Sequence, residues 1–149
     1  MAKNTPPHNP ILPEHRELFD AYMRKWQKLF NLSDWRVVKK PGRAAKNNIA
    51  EMLEIDTTSR LARYRLGEDF GSEPVTPESL ESAAIHEMSH LRLHELSEIS
   101  AREGLYNNAV LAAEHAVITV IEPLLLELAK RWRAETADAE APESYGGTT

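Results

Sequence analysis

The 149 residues are enough for one domain with its own core and too few to expect two. Hydrophobic residues at 42% and charged ones at 28% are ordinary for a globular chain, and no apolar run approaches the ~20 residues of a membrane span. The absence of cysteine excludes a disulfide framework and a thiolate zinc site, so any metal must be held by histidine and carboxylate.

In chain order, residues 1–12 are Pro-rich and polar and read as a loose arm. Pro13 opens a helix to about Phe30, with Leu18, Tyr22, Trp26 and Leu29 on one face, and Asn31-Leu32-Ser33-Asp34 breaks it. Three strands are expected next: Trp35–Lys39, ended by Pro41-Gly42; Ile49–Asp56; and Leu61–Leu66, with Thr57-Thr58-Ser59 as the turn between the last two. Period-two alternation in the later strands predicts a mainly antiparallel sheet covered on one face. Thr76-Pro77-Glu78 then carries the marks of a helix start: an N-cap threonine, proline at the first helical position and an acid in the first turn. Nothing breaks that helix until Gly104, and Leu80, Ala84, Met88 and Leu91 give it a packing stripe. A last helix is predicted from about Asn108 to Ala134, kinked at Pro123, and the residues from Glu135 onward read as a disordered tail. The order α, three β, two α is that of an α+β domain, with the folded part at 13–134.

Within the fifth of these elements His86-Glu87-Met88-Ser89-His90 reads as His-Glu-x-x-His, a helix signature of zinc peptidases. Residues four apart share a helix face, about 6 Å apart along the axis, so two imidazoles can converge on one zinc. Glu87 sits beside them without duplicating either and is the candidate general base. A catalytic zinc needs a third protein ligand. His94 lies about 12 Å from His86 along a straight helix, too far to share one metal, and reads as an exposed or cleft-edge residue. Glu114, on the returning helix, heads an apolar stripe of Ile118, Ile121, Leu125, Leu128 and Trp132, and a carboxylate there must be paired, protonated or metal-bound. Glu114 is therefore the favoured third ligand and His115 the reserve, with Glu98 and Glu103 weaker.

His86-Glu87-x-x-His90 followed by a Glu on the next helix resembles the gluzincin-type zinc peptidases. With Glu114-His115-Ala116-Val117-Ile118 in a leucine-rich closing helix, residues 14–132 are similar to small metallopeptidases common in bacteriophage genomes, and to the minimal zincin domains of the SprT and ImmA/IrrE kinds. The gluzincin pattern of Glu-x-x-x-Asp would place Asp at 118, where this chain has Ile. Support for His86 or His90 is then expected from elsewhere, such as a backbone carbonyl. The resemblance implies a zincin-like fold and a zinc-dependent hydrolase acting on a peptide or protein substrate, with His86, His90 and Glu114 on Zn2+ and Glu87 as base.

The Leu61–Leu66 strand is the expected edge for an extended substrate. Tyr106, His94 and His115 are candidates for stabilising the oxyanion. Residues 24–46 carry eight Lys/Arg against Asp34 alone, either a nucleic-acid patch on a non-catalytic module or, as favoured here, a solvated face. The start of the sequence lacks the apolar core of a secretory signal, so a cytoplasmic setting with no membrane partner is expected, the host cytoplasm for a phage gene.

Overall fold

The computed structural model describes residues 9–44, 49–71, 73–104 and 108–139. Helix α1 (Pro13–Leu29) is followed by strands β1 (Arg36–Lys39), β2 (Ala50–Asp56) and β3 (Leu61–Leu66), then helices α2 (Pro77–Arg102) and α3 (Asn108–Ala139). The α+β order is the one the sequence predicts, but the sheet is mixed. Its strand order is β1-β3-β2, with β1 parallel and β2 antiparallel to β3. This corrects the expectation that Leu61–Leu66 offers the edge: β3 is central, paired on both sides, and the edge beside α2 is β2. The two-strand alternation also fails within β2, because Leu53 is an extra residue between the pairs Met52↔Tyr64 and Glu54↔Arg63, a bulge that shifts the register. Asp56 closes the following turn by accepting hydrogen bonds from the backbone N–H groups of Thr58 and Ser59 and the Ser59 hydroxyl.

One core joins the layers. Phe19, Met23 and Trp26 form the buried face of α1, one residue round from the expected Leu18-Tyr22 line, and Leu29 is half exposed. Phe19 meets Tyr64 of β3 with ring centroids 6.0 Å apart. The α2 stripe of Leu80, Ala84, Met88 and Leu91 is buried as predicted. Its start is also as predicted: the Thr76 side chain accepts from the Ser79 N–H, Ser79 Oγ returns to Thr76 N–H, and Pro77 is the first helical residue. Along α3 the buried side chains are Ile118, Leu126 and Ala129, whereas Leu128 and Trp132 of the predicted stripe are exposed. The helix continues through Pro123 and on to Ala139 rather than ending at Ala134.

The arm is not wholly loose. Ile11 is buried in the core and its N–H donates to the Glu68 carbonyl, while Pro10 bridges to Asp69. Residues 1–8 of the arm and 140–149 of the tail lie outside the described residues. Four of the eight cations of the basic segment form ion pairs: Lys25 with Glu81, Lys39 with Asp20, Lys40 with Glu54 and Arg43 with Glu68.

One acid that the sequence reading passed over clamps the helices. Glu81 of α2 is fully buried and accepts from Lys25 Nζ at 2.6 Å, Trp26 Nε1 at 3.2 Å and Arg133 at 2.6 Å, tying α1, α2 and α3 into one unit. Burial alone would raise its pKa. The Lys25 and Arg133 hydrogen bonds outweigh burial and hold it below the ordinary glutamate value.

Candidate metal centre

The middle of α2 passes under the outer edge of β2, and α3 returns alongside it. His86 and His90, one turn apart on α2, turn the same face to this junction, where their Nε2 atoms lie 3.2 Å apart. His115 of α3 completes the cluster: ligand atoms of His86, His90 and His115 all lie within 4.8 Å of one another. Its ring centroid is 4.8 Å from that of His90 and 6.1 Å from that of His86.

Each imidazole is fixed from behind on Nδ1. His86 Nδ1 is 3.0 Å from Glu122 Oε2, His90 Nδ1 is 2.8 Å from Glu114 Oε1, and His115 Nδ1 is 3.1 Å from the Leu111 carbonyl. All three partners are acceptors, so each Nδ1 carries the proton and each Nε2 presents a lone pair. The carboxylates are themselves held, Glu122 by the Ser82 hydroxyl and Glu114 by that of Ser97 at 2.8 Å. The Glu122 hydrogen bond pushes the His86 pKa up, whereas burial pushes that of His90 down.

This arrangement corrects the expectation for Glu114. Its two oxygens are engaged by His90 and Ser97, and the third side chain whose ligand atom meets those of His86 and His90 is His115. The support expected from a backbone carbonyl does occur, but at His115. His86 and His90 receive carboxylates instead. Glu122 was missed because the stripe was counted through Ile121; a count of four from Glu114 through Ile118 arrives at Glu122.

The donor set fits a divalent metal. Two lone pairs facing each other at 3.2 Å repel unless a proton or cation lies between them. Tetrahedral zinc with bonds of about 2.0–2.1 Å sets ligand nitrogens about 3.3 Å apart, close to the distance observed.

Glu87 lies beside this cluster, 5% exposed, with no Lys or Arg hydrogen-bonded or ion-paired to it among the described residues. Burial pushes its pKa up to about 7, against the opposing pull of His86 and of the Met52 backbone N–H on β2. Two cavities meet here. One of about 600 Å³ extends past Met52, Ile55, His94, Ala101 and Leu111, and one of about 380 Å³ extends past Ile49, Phe70 and Ala83. Ala50, His86 and Glu87 line both, so the cluster sits where a continuous cleft along β2 crosses α2. His94 is half-buried and lines the larger chamber, the cleft-edge position expected for it. Glu98 bonds Thr57 and Arg102 at the rim of that chamber, Glu103 is exposed as the C-cap of α2, and Tyr106 lies outside the described residues.

Comparison with family models, with curated proteins and with solved structures gave no match to this chain.

Proposed function

We propose that the protein is a zinc-dependent metallopeptidase whose metal ligands are His86, His90 and His115 and whose general base is Glu87. The observation that carries the reading is the convergence of ligand atoms from three histidines, Nε2 in His86 and His90, beside a buried glutamate to which no Lys or Arg is paired among the described residues. Glu81, a structural acid of the same helix, is paired with Lys25 and Arg133, whereas Glu87 at the cluster has neither a Lys nor an Arg partner among the described residues, which fits a chemical role. Zinc held there would polarise a scissile carbonyl and lower the pKa of its water toward about 7. Glu87, with a pKa raised by burial, accepts a proton near neutral pH and returns it to the leaving amine. Glu114 and Glu122 fix the imidazole orientations and keep both rings in the tautomer that offers Nε2.

The edge of β2 supplies backbone groups to which an extended peptide can add as a further strand, its side chains falling into the two chambers. The metal set is therefore all-histidine, a departure from the gluzincin pattern. Four of the eight cations of the basic segment are held in ion pairs, which favours a solvated face over a nucleic-acid module.

The test is elemental analysis of untagged protein together with cleavage of an unstructured protein substrate. About one zinc per chain is expected, with cleavage that a chelator removes and added zinc restores. Absence of stoichiometric metal overturns the site; stoichiometric zinc without turnover leaves a metal-binding module and overturns the peptidase.

A further inference from the structure

Helix α3 has a second face that the metal centre does not use. Val117 is 43% exposed, Val120 62%, Leu124 65%, Leu128 65% and Trp132 53%. Their spacing of three and four residues puts them on one stripe. Leu124 is nine residues beyond His115, half a turn round the helix, so the stripe points away from the cluster. Between Glu114 and Glu127 the only charged residue is Glu122, which is turned inward to His86 and Ser82. From Ala113 to Trp132 the stripe runs about 29 Å at the helical rise. A groove of about 560 Å³, lined by Trp26, Leu29, Phe30, Leu125, Leu128 and Trp132, widens it onto α1.

We propose that this stripe is a dimer interface, at which α3 packs antiparallel against α3 of a second copy of the chain. Side-chain size argues for it. Ala109, Ala112, Ala113, Ala116, Val117 and Val120 keep the first half of α3 slim, and Leu124, Leu125, Leu128 and Trp132 make the second half bulky. A two-fold axis beside residues 122 and 123 sets Ala113 against Trp132 of the second copy, Val117 against Leu128, and Ile121 against Leu124. Trp132 and Leu128 then each face a smaller side chain, and Ile121 and Leu124 meet as equals near the axis, a condition for interdigitated packing. Parallel pairing would oppose Trp132 to Trp132 and alanine to alanine, leaving a clash at one end and a void at the other. A helix face about 29 Å long and about 10 Å wide gives a footprint of about 290 Å² per copy, to which the groove on α1 adds, below the ~800 Å² of a standard interface and in the range of a weak dimer that forms at high protein concentration.

Lipid is the weaker occupant. Asn108–Thr136 is long and apolar enough to cross a membrane, which corrects the expectation that no segment approaches a span. However, its inner face is committed to α2 through Glu114, Glu122, Lys130 and Arg133. A surface-lying helix carries Lys and Arg along its polar face, and α3 has none before Lys130.

The chain has no cysteine, so single cysteines report on the pairing directly. Light scattering of the full-length wild type at about 100 µM is expected to give twice the 16.9 kDa chain mass. Leu124→Glu, on an exposed position, is expected to weaken the dimer at least 100-fold with an unchanged circular dichroism spectrum, and Val120→Lys to do the same. On oxidation, a mixture of size-tagged Val117→Cys and untagged Leu128→Cys chains is expected to cross-link between the two variants far more than either does with itself. A wild-type mass of 16.9 kDa overturns the proposal, and so does cross-linking of each variant to itself, the mark of parallel pairing. Monomeric wild type that floats with phosphatidylcholine–phosphatidylglycerol vesicles, and no longer does so as Leu124→Glu, overturns it in favour of a lipid surface.

Discussion

Glu81 and Glu87 are the same residue type on the same helix, less than two turns apart, and both are buried, yet their ionisation is driven in opposite directions. At Glu81 two cations and an indole N–H more than cancel the cost of burial. At Glu87 no Lys or Arg is paired among the described residues, and burial prevails over the pull of His86 and the Met52 N–H. The first arrangement holds three helices together. The second keeps a carboxylate poised to take up a proton near neutral pH. The difference teaches that burial alone does not assign an acid its role; what matters is which groups the neighbouring elements bring to it.

The largest expected effect lies at Glu87. Glu87→Gln should cut turnover by about 10²–10⁴-fold, the range lost with a general base, while zinc content stays at about one per chain. Unchanged cleavage by the variant, followed with a fluorogenic peptide, would remove Glu87 from the chemistry and collapse the contrast with Glu81.

Next in size is the metal set. His115→Ala should lower zinc affinity at least 100-fold, as should His86→Ala, whereas Glu114→Gln and Glu122→Gln, which only orient the rings, should cost about 10–100-fold. Competition against a chromophoric chelator ranks the four. A larger loss in Glu114→Gln than in His115→Ala would return the third ligand to Glu114.

Stability should then separate the two glutamates by sign. Glu81→Gln strands Lys25 and Arg133, but both side chains are partly exposed and can be rehydrated, so a loss of about 1–3 kcal/mol is expected, roughly 2–4 °C of melting temperature per kcal/mol. Because the folded pKa of Glu81 lies below its ordinary value, its contribution is complete above about pH 5 and fades as the pH falls through the folded value. The gap between wild type and Glu81→Gln should narrow accordingly in acid melts. Glu87 has the reverse linkage. Its folded pKa is raised, so ionisation costs stability as the pH rises from about 4.5 toward 7. Metal-free Glu87→Gln should therefore melt above metal-free wild type at pH 8 and near it at pH 4.5. Two variants with the same pH signature would show that the environments are not opposed.

The smallest effect is expected at the surface pairs. Lys40→Ala, which loses an exposed pair with Glu54, should change stability by less than about 1 kcal/mol, measured by urea unfolding.

Much of this was legible locally. Thr76, Pro77 and the unbroken run to Arg102 located α2, and the four-residue spacing of His86 and His90 put both on one face, because caps and helical periodicity are carried by neighbours in sequence. That His115 rather than Glu114 meets His86 and His90 was not legible. Glu114 and His115 are adjacent and about 100° apart round α3, and the rotation that turns His115 to the cluster is set by how Ile118, Leu126 and Ala129 seat against the rest of the fold. The order of the strands was equally hidden. Alternation marks β3 as half-buried but does not say that β1 joins it in parallel, and that pairing displaces the edge to β2. Glu81 escaped notice for a related reason: its partners are 52 and 56 residues away.

The extra residue at Leu53 bears on a hazard that accompanies any accessible strand edge. A straight, regular strand border invites the same border of another molecule to zip against it, the first step toward runaway aggregation. The bulge divides β2 into two short pieces out of phase with each other. Two such edges brought face to face would meet with mismatched ladders. A flexible chain can adjust its own backbone to each piece in turn, so the interruption that deters a second folded copy leaves room for an unfolded guest.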